Sequence, residues 1–281
     1  MFDNVVAGIL AGVLDDQTDS DVIALARELV SPQGKLTLRH VHLVTAKPAR
    51  DSGSLADTAK CRQALQRLTV LADELSADAE VHCVEEHSPE RGLHEFASRR
   101  GADLLVVGAS RGDENDRTFL GDDTRKVLAD APCAVAVAPR EFAARAGALK
   151  KIGVGFDGSA DSERAVALAR RLAAERRAEL SAFEAVPVPI YTRDPWNVKG
   201  DIEERIEAAR QRVAALGDLE PQAGFGDPVH ELAGYGQSVD LLVIGGHKYR
   251  PVDHLLEQST AQRLAHEVST PLLVLPPAET S

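Results

Sequence analysis

The chain has 281 residues, 44% of them apolar and 27% charged, which is ordinary globular usage and excludes a disordered, collagenous or coiled-coil protein. Acidic residues outnumber basic ones 44 to 32, and the resulting charge of −12, negative in both halves, repels nucleic acid and anionic lipid. Aromatics are only 4%, too few for base-stacking platforms, and no apolar run approaches the ~18 residues of a membrane span.

In chain order, the first half reads as strand 5–10, helix 20–30, strand 36–44, helix 55–75, strand 80–85, helix 91–99, buried strand 103–108, helix 124–129 and strand 133–138. The second half opens on Ile152, Val154 and Phe156, which alternate as a strand, followed by the turn Asp157-Gly158-Ser159. Residues 159–174 carry Ala165, Leu168, Ala169 and Leu172 at helical spacing, with Ser159 or Asp161 as the cap. Then come strand 179–186 and an amphipathic helix 201–216 with Ile202, Ile206, Ala209, Val213 and Leu216 on one face. A weak strand 221–226, helix 229–235, buried strand 239–245, helix 260–268 and strand 271–276 complete it.

The halves echo each other. Ala24-Leu-Ala-Arg-Glu-Leu29 matches Ala167-Leu-Ala-Arg-Arg-Leu172, and Ala102-Asp-Leu-Leu-Val-Val-Gly108 matches Val239-Asp-Leu-Leu-Val-Ile-Gly245. Both halves end on Pro followed by an apolar strand. The reading is two homologous domains, residues 1–141 and 149–281, each large enough for its own core. Alternating strands and helices predict an α/β fold, a five-stranded, mainly parallel sheet per domain. Ligands of such sheets sit beyond the carboxyl ends of the strands, where the strand order reverses.

Candidate chemistry gathers at those ends. After Gly245-Gly-His-Lys248 a gap of nine residues leads to Gln258-Ser259-Thr260, and after Gly108-Ala-Ser-Arg-Gly112 a gap of eight leads to Gly121-Asp-Asp-Thr124. A glycine-rich loop running into a helix N-terminus offers N–H groups to phosphate; a plain strand-to-helix connection gives the same pattern. Gly153-Val-Gly-Phe-Asp-Gly158 fits a dinucleotide fingerprint, with Glu179 or Glu184 as the ribose acid, but its first two glycines fall inside the strand. His94, His230 and His266 each precede Glu without a second His four residues on, so no metal site is read. His40 and His42 share one strand face in a packed or surface role, whereas His247, beside the loop, is a candidate ligand contact as well as a plain surface residue. No nucleophile elbow or Walker loop occurs. Cys61, Cys83 and Cys133 lack metal-ligand spacing and fit a reducing cytoplasm rather than a disulfide framework, and Met1-Phe-Asp-Asn does not open a signal peptide. Cys133, inside an apolar strand, reads as inert core.

The Asp157-Gly-Ser-Ala-Asp-Ser-Glu-Arg-Ala165 opening, both Asp-Leu-Leu-Val strands and both Pro-then-apolar strands resemble a tandem universal stress protein. The resemblance covers roughly residues 3–140 and 149–277. It implies two Rossmann-like domains of the adenine nucleotide alpha hydrolase-like kind. The family pattern is a strand-end Gly, two residues, Gly, nine residues, Gly, then Ser or Thr, holding ATP phosphates, with an Asp after the first strand near the adenosine. Carried onto this sequence, it implies Asp157, Gly245, His247, Lys248 and Ser259 in the second half, and Gly108, Gly112 and Gly121 in the first, with Mg²⁺ accompanying bound ATP.

The departures are specific. Lys248 stands in the second glycine slot and Gln258 in the third, so a side chain there either blocks backbone approach to phosphate or offers a cation. In the first half Ala109 takes the first glycine slot, the gap is one residue short, and Asp122 and Asp123 stand where the family has a hydroxyl. The expectation is a cytoplasmic stress-response regulator, not an enzyme. It either binds an adenine nucleotide or acts only through protein-partner surfaces, without nucleic-acid or membrane binding. The resemblance also implies that strands 133–138 and 271–275 pair across the domains, making the chain a pseudo-dimer open to further homodimer formation.

Overall fold

The computed structural model describes residues 1–10, 16–43, 53–109, 122–145, 149–188, 198–246 and 259–278. The chain divides into two compact units, Met1–Ala148 and Leu149–Ser281. The first runs β1 (Phe2–Leu10), α1 (Asp16–Leu29), β2 (Val30–Leu43), α2 (Gly53–Glu74), β3 (Ala79–Glu86), α3 (Pro89–Arg100), β4 (Leu104–Gly108), α4 (Asp122–Leu128), β5 (Ala134–Ala138) and α5 (Phe142–Arg145). The second runs β6 (Lys151–Gly155), α6 (Ala160–Arg176), β7 (Glu179–Val186), α7 (Val198–Ala214), β8 (Glu220–Phe225), α8 (Pro228–Gly236), β9 (Leu241–Gly245), α9 (Thr260–Glu267) and β10 (Leu272–Leu275). No described helix is long and apolar enough to cross a membrane.

Within the first unit the strands lie in the order β3-β2-β1-β4-β5, and within the second β8-β7-β6-β9-β10. These neighbours pair in parallel. Parallel strands covered on both faces read as unbroken apolar runs. Leu104–Gly108, Ala134–Ala138 and Leu272–Leu275 are accordingly buried at every position. The order reverses between β1 and β4, and again between β6 and β9, which fixes one switch point per unit.

The sequence echoes now have physical causes. In the first unit Asp103, just before β4, accepts hydrogen bonds from the N–H groups of Asp3 (3.0 Å) and Asn4 (2.9 Å). In the second, Asp240 accepts from Lys150 and Lys151, both at 2.8 Å. The acid of each Asp-Leu-Leu-Val strand thus clamps the start of its unit's first strand. The arginine of each Ala-Leu-Ala-Arg helix closes the far end of the next helix. Arg27 donates to the Leu75 carbonyl, and Arg170 to those of Leu216 and Gly217. These carbonyls lie in the turns just past the ends of α2 and α7, where the chain leaves the helical hydrogen-bond pattern.

Three features depart from the sequence reading. The cysteines do not all remain thiols, because Cys61 of α2 and Cys83 of β3 form a disulfide with Cα atoms 5.7 Å apart. They are 22 residues apart in sequence, and only the crossover of α2 onto the sheet brings them together. β2 begins at Val30, not near residue 36, since Val30 pairs with Phe2 across an irregular step and Ser31 Oγ donates to Asp3 (2.7 Å). The short helix α5 was not foreseen. It is held by Asp21 of α1, whose carboxylate accepts from the N–H groups of Glu141 (2.9 Å) and Ala143 (2.8 Å). The foreseen weak strand is β8, paired with β7 along its whole length.

Two tests follow from these polar ties. Replacing Asp103 or Asp240 by Ala strands two backbone N–H groups and should cost about 1–2 kcal/mol in denaturant unfolding. Asp21 is 1% exposed, and burial pushes its carboxyl above the ordinary 3.8 despite the opposing Ala143 and Glu141 N–H groups. A raised acid binds its proton more tightly folded than unfolded, so its contribution falls as pH rises from 3.8 through the folded value. The stability of wild type relative to Asp21→Asn should therefore grow as pH is lowered from 7 through that interval; a flat or opposite trend would refute the assignment.

Candidate functional site

The switch point of the second unit lies between β6 and β9, and Asp157 and Gly245 stand at its two sides. Beyond β6 the chain turns at Gly158, whose φ of 76° favours glycine. The exposed Asp157 Oδ1 accepts from both the N–H (3.0 Å) and the hydroxyl (2.6 Å) of Ser159. Such an Asx turn fixes the carboxylate relative to the backbone. Ser159 Oγ in turn accepts from Ser162 N–H (3.2 Å) and caps α6.

Gly245 has a packing reason to be glycine. A Cβ there would sit 2.5 Å from the carbonyl carbon of Asp161, so its absence lets the first turn of α6 rest on the end of β9. Gly108 is its counterpart, where a Cβ would meet Thr18 Cγ2 of α1 at 2.5 Å. A Cβ at Gly246 would meet the Leu275 carbonyl oxygen at 2.3 Å. The fingerprint glycines are explained the same way. Gly153 faces the Tyr235 hydroxyl (2.6 Å to a Cβ), and Gly155 faces Leu232 (3.1 Å). Tyr235 is buried and shares a 2.6 Å hydrogen bond with Ser181. Burial pushes its phenol up to about 12.

Ser259 is the N-cap of α9 in a reciprocal capping box. Its Oγ accepts from Gln262 N–H (3.2 Å), and its own N–H donates to Gln262 Oε1 (3.0 Å). Close to it are two residues the sequence reading missed. Asp227 caps α8 through the N–H groups of Val229 (3.1 Å) and His230 (3.2 Å), and Arg263 of α9 reaches the same oxygen at 3.4 Å. The His230 N–H and the Arg263 guanidinium hold that carboxyl below its usual range. The Asp227-Pro228 step was the available signal, since Asp at the N-cap followed by Pro at N1 is a helix start.

In the first unit the buried Thr124 hydroxyl donates to the Gly108 carbonyl (2.9 Å), fastening α4 to the end of β4. The structure therefore describes Asp157, Gly245, Ser259 and Gly108; His247, Lys248, Gly112 and Gly121 lie outside the described residues. His40 is packed, as expected, stacked 6.5 Å from His42. Burial, then His42 and Arg67, hold its imidazole down at about 4, so it is neutral near pH 7. Burial lifts the Cys133 thiol to about 12, far from a thiolate nucleophile. No cluster of metal ligands occurs among the described residues. If Gly245 serves packing, Gly245→Ala should destabilise the ligand-free protein by about 1–3 kcal/mol in denaturant unfolding. An unchanged midpoint would leave ligand approach as the reason for the glycine.

Comparison with known proteins agrees with this architecture. The model of the universal stress protein family matches residues 6–139 and again 148–276. A universal stress protein from Archaeoglobus fulgidus DSM 4304 is similar over 98% of this chain and 98% of its own, with a TM-score of 0.71 and 13% identity. A functionally unknown protein from Pseudomonas aeruginosa PAO1 is similar over 98% of this chain and 93% of its own, with a TM-score of 0.63 and 17% identity. A universal stress protein solved in complex with cAMP matches 46% of this chain and 98% of its own at 27% identity, with a TM-score of 0.35. With a family domain in each of its two units, the chain belongs to the universal stress protein family as a tandem member.

Proposed function

We propose that the protein is a cytoplasmic stress-response regulator that binds ATP or another adenine nucleotide at the switch point of its second unit. The observation that carries this reading is the placement of Asp157 and Gly245 on either side of the reversal between β6 and β9. An exposed carboxylate held by an Asx turn suits the hydroxyls of a ribose, because it accepts hydrogen bonds at little further entropic cost. On this reading His247 and Lys248, on the loop after Gly245, meet the phosphates, with Lys248 as a point charge and Mg²⁺ as the counter-ion. Ser259 stands at the N-terminus of α9, where the helix dipole favours an anion. In the first unit Gly108, Gly112 and Gly121 form the weaker counterpart, because Asp122 and Asp123 repel phosphate unless a divalent cation intervenes. No turnover is part of the proposal, and binding itself is the signal that a protein partner reads.

A second reading, a partner-surface protein without a nucleotide, is favoured by one observation. The Ser259 N–H, a natural phosphate donor, is already satisfied by Gln262 Oε1. Calorimetric titration of nucleotide-stripped protein with ATP and Mg²⁺ separates the two. The first reading expects saturable binding that Asp157→Ala weakens at least tenfold, about 1.4 kcal/mol. Absence of saturation up to about 1 mM, a free energy near −4 kcal/mol, would overturn it and leave the partner-surface protein.

A further inference from the structure

Helix α2 is held unevenly along its length. Toward its C-terminus Ala64, Leu68, Leu71 and Ala72 are buried, Arg67 pairs with Asp19 of α1, and Arg27 closes the last turn at Leu75. From residue 59 to 63 every side chain is exposed except Cys61, which is half-buried. Cys83 on β3 is also half-buried. Among the described residues, the Cys61–Cys83 bond is therefore what ties the stretch from 59 to 63 to the sheet. An isolated helical turn without packing is marginal in water.

The bond is also not a fold requirement. Disulfides are staples of small domains that cannot bury enough core, whereas this unit spans Met1–Ala148 and buries an apolar core of its own. The second unit builds the same crossover with no cysteine; there Arg212 of α7 forms a bidentate pair with Glu184 of β7, at 2.5 and 3.2 Å. The remaining thiol, Cys133, is buried and held at about 12, so exchange is confined to the one pair.

We propose that Cys61–Cys83 is a reversible redox latch, opened by an external dithiol, that releases the N-terminal part of α2 from β3. The dithiol's thiolate attacks one sulfur of the bond, and the other cysteine leaves as a thiolate and takes up a proton. The second thiol then attacks the mixed disulfide and frees the remaining cysteine. The reductant ends as a disulfide, and the protein has gained two electrons and two protons. The released stretch, through Gln63, forms part of the wall of the cleft between α1 and α2, which Gln17, Ser20, Gln66, Arg67, Val70 and Leu71 also line. The inference does not depend on nucleotide binding.

Hydrogen exchange on the full chain, air-oxidised and then treated with dithiothreitol, tests it. Reduction should expose two iodoacetamide-reactive thiols without denaturant. It should also raise deuterium uptake severalfold over residues 53–63 and leave 198–214 unchanged, and re-oxidation should reverse both. The Cys61→Ser variant should show the reduced pattern without dithiothreitol. Loss of a bond closing a loop of this length should shift the unfolding equilibrium on the order of a hundredfold. Two alkylated thiols before reduction, a bond that opens only in denaturant, or equal uptake in the two redox states would each overturn the proposal, and the wild-type comparison needs no variant to fold.

Discussion

The contact on which the rest of each unit depends is the seating of its first helix against the end of a neighbouring strand. α1 rests on β4 at Gly108, and α6 on β9 at Gly245, each so close that a single methyl group would collide. In each unit the contact lies at the end of a strand that borders the point where strand order reverses. It also fixes where α6 begins, and with it the Asp157 turn and the Ser159 cap. One missing side chain thus couples packing to the geometry of the candidate site. The Asp161 carboxylate extends the contact by accepting from Ala278 N–H (2.8 Å), while Arg164 reaches the Pro276 carbonyl (3.0 Å). Asp21 does the corresponding work for α5 in the first unit.

Around that contact the two units keep the same polar ties and differ in how they hold the second crossover helix. The Asp103 and Asp240 clamps, and the Arg27 and Arg170 closures, satisfy backbone groups that any version of the fold must satisfy. Beyond that closure at its far end, the crossover helix is tied to the sheet differently in the two units. An ion pair with one exposed partner, such as Arg212–Glu184, contributes at most about 1 kcal/mol. A disulfide closing a loop of some twenty residues contributes about 3 kcal/mol, chiefly through the unfolded chain. The units are built alike where the backbone demands it and differ in energy, and in redox sensitivity, where it does not.

This division also explains what was legible in the sequence. Strands buried on both faces, such as Leu241–Gly245, announce themselves as apolar runs, and the helices by their period, so the α/β order and the duplication could be read directly. The purpose of the glycines could not. A glycine at a strand end looks the same whether it admits a phosphate or a helix, and Gly153, Gly155 and Gly245 prove to face side chains and backbone of their own unit. The disulfide was invisible because its partners meet only through the crossover. α5 was invisible because four residues carry no period. The role of Asp21 was hidden because it ends the polar run that opens α1, where one more acid reads as surface, while the backbone it holds lies 120 residues away.

The spent donors bear on how any anion would be held at the second unit. The first turn of α6 already fills the space beside Gly245, so that side of the strand end is closed to a ligand. At α9 the capping box satisfies the Ser259 N–H internally, so an anion must exchange one hydrogen bond for another. Such exchanges differ by only about 0.5–1.5 kcal/mol, since the freed Gln262 amide can turn to water. On the proposed reading the box would not close the helix terminus, because a charged phosphate would gain from the α9 dipole what it gives up in the exchange. Preference for phosphate over a neutral ligand would then rest on the charge of the ligand as much as on any cradle of glycines.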